Sequence, residues 1–378
     1  MQNEFIGYNS IDNLRTVLLS YKPKNIFLVT SSDSYSSCGA EEIFNNLLKE
    51  YNFSRFYDFS PNIDIKDVEK GVNAFKKTDY DLIVAIGGGS VIDMAKLINI
   101  MSFSDIPIND FLKSTNKLFN KQFPLIAIPT TSGSGSEATH FAVLYKDKIK
   151  YSIDHKDLLP DTSIVDPVFS LHLPQKITAD TGVDALSQAI ESYWSIHSTE
   201  ESLKYAKEAI KLIIKSLPSA VNTPDLSNRN DMALAAHLAG KAINITKTTA
   251  PHAISYPFTS YYGISHGHAV ALTLPEILVY NFEVTENDIQ DKRGCDYAKQ
   301  KLVEIASLFR CKDVYTCKKV LNEFLQDIKI ERSFKKLNIT DIDIILDNVN
   351  TERLGNNPRK LTRKNLENIL LSLQSFSD

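Results

Sequence analysis

Three groups of residues in this sequence are of the types and spacings that do chemistry. The first is the turn Gly87-Gly88-Gly89-Ser90, which follows the apolar run Leu82–Ile86 and opens a second, helix-compatible run through Val91, Ile92, Asp93, Met94, Ala95 and Lys96. Backbone N–H groups in such a turn approach an anion with no Cβ in the way, and the start of a helix adds partial positive charge. That suits a pyrophosphate, so the turn reads as a nucleotide or dinucleotide site. It lacks both the G-x-G-x-x-G spacing and the Lys-Ser/Thr ending of a P-loop, and a tight structural turn is the competing reading. The second group is Thr130-Thr131-Ser132-Gly133-Ser134-Gly135-Ser136-Glu137, again directly after an apolar run, Leu125–Ile128. Its hydroxyls offer donors and acceptors close to the chain. A flexible Ser/Gly linker would look similar, but another apolar run, Phe141–Tyr145, follows at once. The third group is Asp184 with His252, His266 and His268, the last three crowding one segment of a chain with eight histidines. On a helix Asp184 and Gln188 share a face. A carboxylate and two imidazoles can hold a divalent ion such as Zn²⁺ or Fe²⁺; histidines satisfied in the core or at the surface are the alternative.

The elements that must position these groups alternate through the first part of the chain. Asn25–Thr30 and Ser54–Phe59 read as strands, Glu41–Tyr51 and Ile65–Lys76 as helices, and residues 82–86 and 124–128 as further strands. Strand–helix alternation predicts a largely parallel sheet with helices on both faces, with ligands beyond the carboxyl ends of the strands. Both loops rich in glycine lie at such ends. After about Pro167 the pattern is helical: 178–196, 200–216, 229–246, 266–281, 297–309, 316–327 and 362–374 carry helix periods. The expected organisation is an α/β domain over residues 1–166 and an all-helical domain over 167–378, with a cleft between them for a second substrate.

Composition narrows the class. The chain has 378 residues, 23% charged and 43% hydrophobic, as ordinary soluble globular proteins have. Its net charge is −4 and no basic run exceeds a pair, which argues against nucleic acid as a partner. No apolar stretch approaches the roughly 20 residues of a membrane span. The N-terminus does not read as a signal peptide, and the four cysteines form no C-x-x-C pair, so free thiols and a cytoplasmic location are expected.

Together the motifs resemble the iron-containing (group III) alcohol dehydrogenases, of the superfamily that includes glycerol dehydrogenase and dehydroquinate synthase. The matches run in order along nearly the whole chain: Gly87–Ser90 with Asp93 and Lys96, Pro129–Glu137, Gly182-Val183-Asp184-Ala185-Leu186, His252, His266-Gly267, and Asn357-Pro358-Arg359. The resemblance implies a Rossmann-like dinucleotide-binding domain and an all-helical domain. It implies that Gly87, Gly88, Gly89 and Ser90 hold a pyrophosphate, that Asp93, Thr130, Thr131 and Ser134 line the dinucleotide, and that Asp184, His252 and His266 hold Fe²⁺ or Zn²⁺. The chemistry implied is reduction of a small aldehyde to an alcohol by NADPH or NADH. Dimers or larger assemblies are common in such families, which leaves a homo-oligomer open.

The chain departs from the family at several positions. Gln188 stands where a histidine usually completes the metal site; an amide oxygen is a neutral, weaker donor. Tyr256 stands where many relatives place a second histidine near the nicotinamide, as a proton donor or a packed aromatic; His268 and water are the other proton sources. Relatives selective for NAD often carry an aspartate where this chain has Ser31, so NADPH is allowed here, although Asp33 keeps NADH open. Lys247, Thr248 and Thr249 precede His252, and a cation with two hydroxyls suits an anionic substrate head; a surface lysine beside helix-terminal threonines is the bland reading. This segment and 184–195 look like the phosphonoacetaldehyde reductase branch, which reduces phosphonoacetaldehyde to 2-hydroxyethylphosphonate. Competing functions are a general short-chain alcohol dehydrogenase, a lyase-type relative of dehydroquinate synthase, and a nucleotide-binding protein that has lost its metal.

Overall fold

The computed structural model describes residues 2–103, 121, 123–147 and 149–375. The chain divides into two compact units, Met1–Leu173 and Pro174–Asp378.

The first unit is built on a six-stranded, all-parallel sheet. Its strands are β1 (Asn3–Ile6), β2 (Asn25–Thr30), β3 (Asn52–Phe56), β4 (Leu82–Gly87), β5 (Leu125–Pro129) and β8 (Thr162–Val165), in the order β1-β8-β5-β4-β2-β3. An antiparallel pair, β6 (Phe141–Lys146) and β7 (Ile149–Asp154), stands apart from it. Among the described residues its α-helices are α1 (Asn13–Tyr21), α2 (Ser34–Ser37), α3 (Ala40–Leu47), α4 (Ile65–Phe75) and α5 (Gly89–Met101). Strands covered on both faces need apolar residues at every position, and β2, β4 and β5 supply them. Ile26, Leu28, Leu82, Val84, Ile126 and Ile128 pack in one buried layer with Leu14 and Leu18 of α1 and Phe44 of α3. The alternate residues Phe27, Val29, Ile83, Ala85, Leu125 and Ala127 pack in the other with Val68 and Phe75 of α4 and Ile92 of α5. The period of two along each strand thus feeds two cores from one sheet.

The strand order fixes where a ligand can bind. From β2 the chain continues outward to β3, whereas from β4, the neighbour of β2, it continues the other way to β5. The sheet therefore has its topological switch point between β2 and β4, and a crevice opens at the carboxyl ends of that pair. Those ends are Thr30-Ser31 and the triple-glycine turn.

The second unit is helical: α6 (Gln175–Trp194), α7 (Glu200–Asn222), α8 (Leu226–Thr246), α9 (Ala250–Tyr262), α10 (His266–Phe282), α11 (Cys295–Leu308), α12 (Val314–Asp327), α13 (Ile342–Asp347), α14 (Thr351–Leu354) and α15 (Arg363–Ser375). Capping boxes at Thr199 and Asp225 start α7 and α8 by satisfying backbone N–H groups that have no partner inside the helix. Helix α6 packs against α7, α8 and α10 and is buried for most of its length. A buried helix with polar residues on it is the frame for the site described next. Among the described residues no helix is long and apolar enough to cross a membrane.

Candidate functional site

Helix α6 carries Asp184, Gln188 and Glu191 at i, i+4 and i+7, so all three line one face. Each is buried, and burying carboxylates is costly unless cations or hydrogen bonds compensate. The compensation comes from α9 and α10. His252 Nε2 lies 3.3 Å from Asp184 Oδ1, and His266 Nε2 lies 3.9 Å from the same oxygen. One donor atom from each of Asp184, His252 and His266 falls within 4.8 Å of the others. The two rings sit with centroids 5.3 Å apart. Two imidazole nitrogens and a carboxylate oxygen converging in this way fit a divalent transition metal. Gln188 joins the group by donating from Nε2 to Asp184 Oδ2 at 3.2 Å.

Glu191 completes the arrangement and was given no role from the sequence. One carboxylate oxygen meets His252 Nδ1 in a short hydrogen bond. The other accepts from the Thr249 backbone N–H at 2.6 Å and from Thr249 Oγ1 at 2.9 Å. Trp194 Nε1 donates to Thr249 Oγ1 at 2.8 Å. A carboxylate at Nδ1 keeps the proton there and leaves Nε2 as the lone-pair nitrogen, the tautomer a metal needs. Burial lowers the pKa of His252, but the Glu191 and Asp184 carboxylates raise it more, to about 10, so Nε2 is bare only once a cation displaces the second proton. The signal in the sequence was the helical spacing: Glu191 is one further turn along the face of Asp184 and Gln188.

His266 is held against Asp184 by a close helix crossing. A Cβ built on Gly267 would lie 1.8 Å from the Asp180 carbonyl oxygen and 2.9 Å from Asp184 Cβ, so only glycine lets α10 approach α6 this closely. Ser265, the residue before α10, donates to Asp180 Oδ2 at 2.5 Å. The site opens on one side: the His266 side chain is 33% exposed, against 6% for His252 and 8% for Asp184.

The other expected residues of this unit are placed differently. Tyr256 is one helical turn beyond His252 on α9, and its ring centroid is 6.3 Å from that of His266. His268 is not brought to the donors: two residues beyond His266 on α10, it is turned to the Glu331 carbonyl, 2.5 Å from Nε2. Lys247 ends α8 with φ 60°. It lines a cavity of about 460 Å³ with His197, Thr199, Ile245 and Asn356, and none of the three donor residues lines that cavity. The Thr249 hydroxyl is spent on Glu191 and Trp194, and Thr248 is buried.

In the first unit Gly87 ends β4, and α5 begins at Gly89. The second loop lies against this turn. Thr130 N donates to the Gly87 carbonyl at 3.0 Å. Ser134 Oγ accepts from Ser136 N at 3.3 Å and occupies the space a Cβ on Gly89 would need, 2.5 Å away; Thr131 packs beside Gly88. The Ser90 hydroxyl donates to the Pro61 carbonyl, and the hydroxyls of Ser31 and Ser34 pair at the end of β2. Asp93 braces the segment after the second loop. It accepts from Ser136 Oγ at 2.5 Å and from Val143 N at 3.0 Å, and burial holds its carboxyl above the usual range despite Lys96 beside it. Lys96, buried in turn, donates to Ser136 Oγ, Thr139 O and Phe141 O at 3.0, 2.9 and 2.7 Å.

A family model described as "Iron-containing alcohol dehydrogenase" matches residues 2–167, and one described as "Fe-containing alcohol dehydrogenase family, C-terminal" matches residues 178–374. The chain belongs to the iron-containing alcohol dehydrogenase family.

Relatives and solved structures agree on the class. Long-chain-alcohol dehydrogenase 1 of Geobacillus thermodenitrificans is 32% identical over 332 residues, 87% of this chain and 83% of the relative. Phosphonoacetaldehyde reductase of Streptomyces viridochromogenes is 31% identical over 299 residues, 77% of this chain and 75% of the relative. The crystal structure of sulfoacetaldehyde reductase from Bifidobacterium kashiwanohense, in complex with NAD⁺, superposes with a TM-score of 0.88 at 31% identity, covering 99% of this chain and 97% of that one. This family member is an enzyme of alcohol–aldehyde oxidoreduction, with the α/β and all-helical architecture of its relatives.

Proposed function

We propose that this enzyme reduces a small aldehyde carrying an anionic head group, of the phosphonoacetaldehyde type, to the corresponding alcohol at the expense of NADPH or NADH. The observation that carries the reading is the convergence of Asp184, His252 and His266 within 4.8 Å on buried helices. When bound, a divalent cation supplies polarisation of the carbonyl oxygen, and the reduced nicotinamide supplies the hydride. The chain's own residues do the rest. Asp184, His252 and His266 hold the cation, Gln188 offers an amide oxygen, and Glu191 fixes the tautomer of His252. Tyr256, one turn along α9, is the proposed source of the proton for the developing alkoxide. The turn at Gly87–Gly89 binds pyrophosphate through backbone N–H groups at the start of α5.

Two relatives support the anionic head group. The phosphonoacetaldehyde and sulfoacetaldehyde reductases act on two-carbon aldehydes that end in a charged group, and both are 31% identical to this chain. Lys247, five residues before His252 in the chain, is the cation proposed for that group. The test is oxidation of NADPH and of NADH, followed by near-ultraviolet absorbance, with phosphonate, sulfonate, carboxylate and neutral aldehydes of matched length, with and without Fe²⁺, Zn²⁺ or Mg²⁺. Turnover favouring the charged aldehydes is expected. Equal turnover of the neutral ones would make the protein a general short-chain alcohol dehydrogenase.

A further inference from the structure

Arg55 belongs to β3, yet its guanidinium serves the end of the neighbouring strand β2. Nε donates to Thr30 Oγ1 at 2.7 Å, and Nη2 donates to the carbonyls of Ser31 and Ser32 at 2.9 and 3.1 Å. The rings of Tyr35 and Tyr57 lie 4.4 and 4.6 Å from Cζ. Neutral carbonyls, a hydroxyl and aromatic faces orient a cation without cancelling its charge. The third nitrogen, Nη1, is 4.0 Å from a carboxylate oxygen of Glu41, whose side chain is 45% exposed. An exposed pair of this kind is weak and screened, so an incoming anion can displace it.

The place of this cation matters. At the switch point of a doubly wound sheet, the pyrophosphate takes the glycine turn after one strand and the adenosine ribose falls at the end of the neighbouring strand. Here those are β4 and β2. A carboxylate at the second position accepts the ribose hydroxyls and repels a 2′-phosphate; an arginine accepts the phosphate. This chain has Ser31 at that strand end, with its hydroxyl beside that of Ser34, and a preset guanidinium underneath. We propose that Arg55, together with the hydroxyls of Ser31 and Ser34, forms a seat for the 2′-phosphate of NADPH and makes the enzyme prefer NADPH to NADH. The inference rests on the reading of the triple-glycine turn as a dinucleotide site.

The experiment measures binding of NADPH and NADH by fluorescence titration, and kcat/KM for both, in wild type, Arg55→Leu and Ser31→Asp. Wild type should favour NADPH, and Arg55→Leu should cut the NADPH-to-NADH ratio of kcat/KM about tenfold or more through KM, the scale of a lost charge-assisted hydrogen bond. Ser31→Asp leaves the arginine in place and should move the ratio the same way, which guards against misfolding of the Arg55 variant. A wild type that favours NADH, or variants that leave the ratio within about twofold of wild type, would reduce Arg55 to a brace for the loop after β2. Failure of the wild type to bind either dinucleotide would instead overturn the dinucleotide site, and this seat with it.

Discussion

Glu191 holds His252 twice: one carboxylate oxygen binds the ring at Nδ1, and the other binds the backbone N–H of Thr249, the residue immediately before the helix that carries the ring. Orientation and tautomer of one donor are thus set by a single buried side chain on another helix. Such outer partners of a ligating histidine typically contribute 10–100-fold in metal affinity.

Glu191→Gln tests this relationship with little change of shape. An amide cannot favour both the Nδ1 proton and the Thr249 N–H as a carboxylate does. Metal affinity, measured by competition with a chelating indicator, should fall about 10–100-fold. An affinity equal to wild type would leave Glu191 a merely structural acceptor.

Gly267→Ala should damage the same site by geometry alone. The new methyl would meet the Asp180 carbonyl at 1.8 Å, and the backbone of a packed helix cannot step aside as a flexible side chain would. Helix α10 must move off α6, taking His266 from Asp184. The cost is roughly 1–3 kcal/mol or more, so a lower Tm and substoichiometric metal are expected. A variant melting like wild type with full metal would contradict the close crossing.

Lys96 gives a pH dependence. Burial outweighs the pull of the nearby Asp93 and Glu137 carboxylates and lowers its pKa from 10.5 to about 8. Between those values the unfolded chain binds the proton and the folded chain has released it, so stability rises with pH across that window. The difference in unfolding free energy between wild type and Lys96→Met should therefore shift in favour of wild type from about pH 8 to about pH 10.5. A difference that is flat with pH would mean the ammonium stays charged in its ring of oxygens.

The legibility of this fold followed from periodicity. Strand β2 at Asn25–Thr30 and helix α4 at Ile65–Phe75 have the period or continuous apolarity that burial demands, and the sequence reading placed both. Helix α9 was not expected. Pro251 opens it and Pro257 lies inside it, and proline within a pattern reads as a break, although the first turn tolerates it. The short edge strand β1 was missed because its residues are largely exposed, so they show no buried pattern. Asp184, His252 and His266 were legible from residue type and resemblance. Glu191 was not, because its role exists only once α9 is laid beside α6. The contacts of Asp93 were not legible either, because its carboxylate accepts from Ser136 and Val143, 43 and 50 residues further along the chain.

Lys247→Ala separates charge recognition from catalysis. The residue lines its own cavity, with His197 and Asn356. Its loss should raise KM for a phosphonate aldehyde about tenfold, the scale of one charge-assisted contact, and barely alter that for a neutral aldehyde of the same length. Equal effects on both substrates would assign Lys247 to the turn between α8 and α9 instead.

Gln188→His asks how much the amide limits the metal. The position is four residues from Asp184 on the same buried face, and its side chain already reaches Asp184 Oδ2 at 3.2 Å. Replacing a neutral amide oxygen by an imidazole nitrogen gives Fe²⁺ or Zn²⁺ a better-matched donor, so the dissociation constant should fall. The gain has a sign in pH as well. Imidazole ligates only when neutral, so the advantage over wild type should shrink as pH falls. A variant that binds metal no more tightly than wild type at any pH would show that residue 188 does not reach the cation and that three side chains suffice.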